Sequence, residues 1–223
     1  NNKLQENSCQ EFYSLLKNSK KPLIYAGGGV INANATNELR DFASHYGIPV
    51  TTTLMALGAS DTTKPLSLHM LGMHGTASAN YAVEDCDFLI TIGARFDDRV
   101  AGDPKGFAPN AKKIAHFDID LSEIGKVKQV DWYHIGNLKE DLKKLLKFGI
   151  KIAFETSIVE WHKHIAHLKD KYKLNYDRQS NLIQPYAVIE EINKITGGNA
   201  IITTGVGQHQ MWAAQYFDYK EPR

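Results

Sequence analysis

The sequence predicts an α/β fold: a doubly wound parallel sheet, followed by the opening of a second α/β domain. Short apolar runs alternate with stretches of helical periodicity up to about residue 146. The runs are apolar on both faces, as strands are when helices cover both sides of a sheet. Glycines, hydroxyls, arginines and carboxylates follow the runs, at the edge where open parallel sheets bind ligands.

Residues 9–17 fit a short amphipathic helix carrying Phe12, Leu15 and Leu16. Pro22-Leu23-Ile24-Tyr25-Ala26 reads as a buried strand, stopped by Gly27-Gly28-Gly29. Asn34 or Thr36 is suited to cap the next helix, which carries Leu39, Phe42, Ala43 and Tyr46 and ends at Gly47. Residues 48–53 begin a second strand, 76–84 a helix, 87–92 a third strand and 113–119 a fourth. Tyr133-His134-Ile135 is a short fifth strand before a helix over 138–146. Trp161, Ile165, Leu168 and Tyr172 then suggest a charged helix, followed by a polar linker over 175–181. Pro185 suits the first turn of a helix that ends at Gly197-Gly198. Ala200-Ile201-Ile202 reads as one more buried strand, and one strand cannot bury a core of its own. With no initiator Met, the chain is expected to be a piece of a longer protein.

With 26 basic and 25 acidic side chains the chain gives no reason to expect nucleic acid or an anionic membrane as partner. No apolar run approaches a membrane span, and no signal peptide is visible. Cys9 and Cys86, far apart, make no disulfide framework, which favours a reducing compartment.

The glycine triplet fails the G-x-G-x-x-G fingerprint at Asn32, and no acid ends the second strand. A hydride-transferring NAD enzyme is therefore disfavoured. An extended nucleotide with phosphates near backbone N–H groups stays open, beside plain close packing of strand on helix. His69 and His74, five apart with no Cys or carboxylate nearby, lack the ligands for a metal. His69 reads as structural; His74, between glycines, reads as a ligand contact. In Arg95-Phe96-Asp97-Asp98-Arg99 the flanking arginines are expected to keep both acids ionised in a salt-bridged loop, leaving an arginine free for a phosphate or carboxylate. His162, His164 and His167 read as a solvated helix face. Gly205-Val206-Gly207-Gln208-His209-Gln210-Met211-Trp212 sets amide and imidazole groups beside Met and Trp, which suits a cofactor or substrate site. No Ser-His-Asp order, P-loop or Cys-x-x-Cys is present. The residues alone reach a nucleotide-binding α/β domain joined to a second ligand-binding domain, and no reaction.

Met-Leu-Gly-Met-His-Gly at 70–75, Arg-Phe-Asp-Asp-Arg-Val at 95–100 and Gly-Gln-His-Gln-Met-Trp at 207–212, in this order and spacing, resemble the large catalytic subunits of the acetolactate synthase (acetohydroxyacid synthase) family, thiamine-diphosphate-dependent transferases of branched-chain amino-acid biosynthesis. The likeness covers nearly the whole chain. It implies a central FAD-binding domain over residues 1–147, a helical linker over 148–181 and the truncated start of the C-terminal thiamine-diphosphate domain over 182–223. The FAD contacts it carries over are Gly27, Gly28, Gly29, Thr53, Leu54, Met55, Leu71, Gly72, Met73, His74, Gly93, Ala94, Arg95, Asp97, Arg99, Val100, Asp118 and Ile119. Gly136 and Asn137 join them, where many relatives have Gly-Asp. Val206, Gly207, Gln208 and His209 resemble the turn that approaches thiamine diphosphate, with Gln208 and His209 suited to position the diphosphate or substrate.

Such enzymes condense two pyruvates, or pyruvate and 2-oxobutyrate, with loss of CO2; FAD is required without redox turnover. The resemblance implies no catalytic or metal-binding residue in this chain, since the activating glutamate and the Mg2+ ligands fall outside it, and hence no turnover by the chain alone. It implies a homodimer or larger assembly, with a regulatory small subunit as a possible partner. The location implied is cytoplasmic, or plastid if the source is a plant or alga. Another thiamine/FAD enzyme, such as a pyruvate oxidase or glyoxylate carboligase, is told apart by its product from pyruvate. A non-catalytic nucleotide-binding module is the remaining alternative.

Overall fold

The computed structural model describes residues 3–222. The chain runs α1 (Glu6–Lys17), β1 (Pro22–Ala26), α2 (Gly28–Asn32), α3 (Thr36–Tyr46), β2 (Val50–Thr52), β3 (Ser67–Met70), α4 (Ala77–Asp85), β4 (Phe88–Ile92), α5 (Asp98–Ala101), β5 (Lys113–Asp118), β6 (Trp132–Ile135), α6 (Leu138–Lys151), α7 (Val159–Lys171), α8 (Pro185–Thr196) and α9 (Gln208–Tyr216). Among the described residues six strands make one parallel sheet in the order β3-β2-β1-β4-β5-β6. The chain therefore works outward from β1 in one direction, returns, and works outward from β4 in the other. Between β1 and β4 lies the switch point at which such sheets open a crevice.

The β1 sequence PLIYA and the β4 sequence FLITI are buried at every residue because helices cover both faces. On one face α1, α3 and α6 meet around Phe12, whose ring lies 5.3–6.1 Å from those of Phe42, Phe88, Phe117 and Trp132. On the other, α4 and α7 cover Leu23, Leu89 and Ile114 with Ala79, Ala82, Trp161 and Ile165. The Trp161 indole donates to the Pro22 carbonyl at 2.9 Å, so α7 is built into this layer.

Several sequence expectations change. The sheet gains β3, which the sequence hides: Ser67-Leu68-His69-Met70 is only four residues long, its register against β2 shifts, and His69 sits at φ 62°. The strand expected over 48–53 shortens to β2. Neither Asn34 nor Thr36 caps α3: Asn34 is left-handed, Ala35 takes the capping position, and Thr36 is already helical. The helix expected over 138–146 continues to Lys151. Ala200-Ile201-Ile202 forms no strand, because no neighbouring strand receives its backbone, and Ile201 is 84% exposed. His162 and His164 are not a solvated face. Their Nε2 atoms lie 2.6 Å from the Gly47 carbonyl and 2.7 Å from Asp85 Oδ2, leaving His167 exposed. The apolar-on-both-faces pattern is also broken, since Thr51, Tyr25, Thr91 and His116 form a buried polar row across four strands.

His69, read from the sequence as a structural histidine, has its Nδ1 buried with no hydrogen-bond partner among the described residues. Burial, reinforced by the Lys169 ammonium and opposed by Asp218, pushes its pKa down from 6.5 to about 4. The unfolded chain therefore binds the extra proton first. Stability is full above pH 6.5 and falls as pH drops toward 4, by about 3 kcal/mol. Thermal melts across that window are expected to show this loss, and His69→Asn, which tolerates the left-handed backbone, is expected to flatten it.

Candidate cofactor-binding cleft

The carboxyl edge of the sheet opens into a cleft of about 640 Å3, within the range of about 300–1,000 Å3 usual for small-molecule sites. Its floor is the switch point. After β1 the chain turns at Gly27, whose N–H donates to the Ile92 carbonyl at 2.9 Å; after β4 it turns at Gly93, whose carbonyl accepts from Gly29 N–H at 3.0 Å. A Cβ on Gly27 would lie 2.2 Å from the Gly93 oxygen, so only glycine lets the two strand ends close together. The triplet expected as a turn is thus the start of α2. The Thr53-Leu54-Met55 segment after β2 forms a second side, and Thr53 Oγ1 is buried with no partner among the described residues. An orphaned hydroxyl beside a glycine floor fits a polar ligand.

The loop after β4 supplies positive charge and the loop after β5 negative. Arg95 and Asp97 pair at 3.3 Å, confirming the salt-bridged loop, while the Arg99 guanidinium makes no ion pair among the described residues. Asp97 caps α5: the Arg99 N–H donates to it at 3.0 Å, and that bond, more than either guanidinium, holds its carboxyl below the usual range. At the end of β5, burial opposes ionisation of Asp118. The His116 imidazole and the N–H groups of Asp120 and Ile119 outweigh that cost and hold it below its ordinary value. The acids are therefore carboxylates at neutral pH, able to accept from sugar hydroxyls. Among the described residues no group of three His, Cys, Asp or Glu side chains could hold a metal ion.

Thirteen of the sequence-derived positions line this cleft: Gly27, Gly28, Gly29, Thr53, Leu54, Met55, Gly93, Ala94, Arg95, Asp97, Arg99, Val100 and Asp118. Leu71, Gly72, Met73 and His74 stand behind its wall, where Met73 N–H donates to the Arg99 carbonyl at 3.0 Å. Ile119 is 79% exposed beside it. Gly136 N–H donates to the Asp118 carbonyl at 3.0 Å. The Asn137 side chain accepts from Lys139 and Glu140 N–H and so caps α6. Val206, Gly207, Gln208 and His209 are outside the cleft, with Val206 95% exposed. A smaller neighbouring pocket, lined by Ile202, Thr204 and Gln210, shares Leu54 and Met55 with it. Asn32, Asp120 and Glu123 line the cleft without having been singled out. Asn32 was visible only as a broken glycine pattern, and Glu123 carried no local signal.

Residues 9–145 match the family described as "Thiamine pyrophosphate enzyme, central domain". The chain is 49% identical over 216 residues to the acetolactate synthase large subunit of Corynebacterium glutamicum, across 96% of this chain and 34% of that protein. It is 45% identical over 221 residues to chloroplastic acetolactate synthase 2 of Nicotiana tabacum, across 96% of this chain and 32% of that one. To chloroplastic acetolactate synthase of Arabidopsis thaliana it is 44% identical over 221 residues, across 98% and 32%. The chain spans about a third of the length of the curated relatives it matches.

Proposed function

This chain belongs to the thiamine pyrophosphate enzyme family, and from that premise we propose that it is the central, FAD-holding part of an acetolactate synthase large subunit. The single observation that carries the cofactor reading is the cleft at the β1/β4 switch point, where a glycine floor, two arginines and Asp118 converge. An extended dinucleotide needs those parts: backbone that phosphates can approach, cations for their charge, and a carboxylate for ribose hydroxyls. Gly27 to Gly29 and Gly93 to Arg95 hold the pyrophosphate, Arg95 and Arg99 neutralise it, and Asp118 accepts from a sugar hydroxyl. Val100, backed by Leu71 to His74, with Ile119, Gly136 and Asn137 at the margin, shapes the rest of the site.

The relatives' names support the reaction: condensation of two pyruvates, or of pyruvate with 2-oxobutyrate, with release of CO2. Thiamine diphosphate, with Mg2+, supplies the nucleophilic centre of that chemistry when bound. Val206, Gly207, Gln208 and His209, at the start of α9, lie toward its diphosphate, and the activating glutamate and metal ligands belong to the rest of the subunit. The working enzyme is a homodimer or larger, joined by a regulatory small subunit. Among the described residues no helix is long and apolar enough to cross a membrane. The location follows the source: cytoplasm, or plastid as in the relatives named chloroplastic.

Flavin titration tests the reading. Purified chain is expected to quench FAD fluorescence saturably and to make no acetolactate from pyruvate, with or without thiamine diphosphate and Mg2+. FAD fluorescence unchanged at excess protein removes the flavin assignment; turnover by the chain removes the claim that its catalytic parts lie elsewhere.

A further inference from the structure

The segment after β4 is held from below at two consecutive carbonyls. Tyr25 on β1 and His116 on β5 flank Thr91 of β4 in one cross-strand row, so their side chains leave the same face of the sheet. Tyr25 Oη donates to the Arg95 carbonyl at 2.8 Å, and His116 Nε2 lies 3.0 Å from the Ala94 carbonyl. A carbonyl oxygen only accepts, so His116 carries its proton on Nε2. Both side chains are fully buried, and neither lines the cleft. Between them the Phe96 ring is pinned, 6.1 Å from the Tyr25 ring and 5.4 Å from the imidazole. Ala94 and Phe96 are buried while Arg95 is exposed and Asp97 half-buried, the alternation of an extended segment.

We infer that Tyr25 and His116 are positioning residues for the cofactor: by fixing the Ala94 and Arg95 carbonyls and burying Phe96, they present Arg95 and Asp97 to the cleft. The inference deepens the flavin reading and rests on it for its ligand. The two arms differ in reach. The Tyr25 hydroxyl bonds the Arg95 carbonyl, whereas His116 Nε2 also lies 3.5 Å from Asp118 Oδ2 and so steadies the second wall as well.

The test titrates FAD against the wild-type chain and against Tyr25→Phe, His116→Phe, His116→Gln, Arg95→Ala and the pair Tyr25→Phe/Arg95→Ala. Tyr25→Phe deletes one oxygen and preserves the core ring; it is expected to raise the FAD Kd about three- to tenfold with the far-ultraviolet spectrum unchanged. In the Arg95→Ala background the same change is expected to add less than about twofold, since the Arg95 guanidinium, the cation being aimed, is gone and only Asp97 remains. His116→Phe is expected to cost about tenfold, and His116→Gln, whose amide reaches the Ala94 carbonyl, to recover most of it. Wild-type affinity in both Tyr25→Phe and His116→Phe overturns the inference while leaving the flavin reading intact. So does a full, additive Tyr25→Phe loss on top of Arg95→Ala. If wild type binds no FAD, the flavin reading fails and trypsin decides the anchor. Cutting after Arg95, relative to other sites, is expected to be several-fold faster in Tyr25→Phe, and an unchanged ratio overturns it.

Discussion

Gly27→Val is expected to abolish flavin binding, lowering the affinity for FAD by more than about a hundredfold. The added Cβ would lie 2.2 Å from the Gly93 oxygen and 2.5 Å from Ala94 Cα and Cβ. Two backbone atoms and a methyl stub cannot swing away as a long side chain can. The strand ends must part instead, breaking the 2.9 Å bond from Gly27 N–H to Ile92 and the 3.0 Å bond from Gly29 N–H to Gly93. That distortion costs about 3 kcal/mol or more and falls on the floor of the cleft. Gly28→Ala is the contrast: its Cβ would meet Met55 Cβ at 3.1 Å, which a shift of a few tenths of an ångström in the segment after β2 relieves. Flavin affinity in Gly28→Ala is expected to stay within about threefold of wild type. Fluorescence titration paired with thermal melts separates lost binding from lost fold. Undiminished binding by Gly27→Val sinks the switch-point site.

Gly149→Ala is expected to destabilise the chain by about 3–5 kcal/mol while leaving flavin affinity of the folded protein unchanged. The sign is the informative part. In an exposed helix interior the same change is favourable by about 1 kcal/mol, because alanine is the better helix former. Here the Cβ would sit 2.0 Å from Tyr46 Oη and 2.3 Å from Tyr13 Oη. Those hydroxyls are 2.9 Å apart, and Tyr13 donates to the Leu145 carbonyl at 2.8 Å, so the shared proton comes from Tyr46. A methyl between them breaks this chain of donors beneath α6, where Phe148 and Phe154 also pack on the Tyr13 ring. Tyr46→Phe in the same background is expected to recover part of the loss. Urea unfolding of the variants reads both effects, and a Gly149→Ala chain as stable as wild type refutes the packing argument.

Elements with a strong local pattern could be read from the chain itself. Pro22–Ala26 and Phe88–Ile92 are predominantly apolar and buried throughout, and α1 places Cys9, Phe12 and Leu16 on one buried face. β3 could not be read, because it is only four residues long and its irregular register is set by the β2 edge it joins. The opposite error arose at Ala200-Ile201-Ile202, where composition favours a strand but no described strand lies alongside to pair with it. For α7, periodicity marked Trp161, Ile165 and Leu168 as one side of a helix. It could not say that His162 and His164 would meet Gly47 and Asp85.

What the amino-acid order determined by itself was chemistry by position: glycines after β1 and β4, hydroxyl and methionine after β2, arginines and carboxylates after β4 and β5. Residue type and spacing are local properties, and burial periodicity reports them directly. Tertiary structure alone decided which of these positions meet. The reversal of strand order sets Gly27 against Gly93, and brings Tyr25 and His116, distant in sequence, beneath the same loop. Strand pairing is a long-range choice made by crossover helices and by the total apolar surface they cover, so a local pattern does not record its outcome.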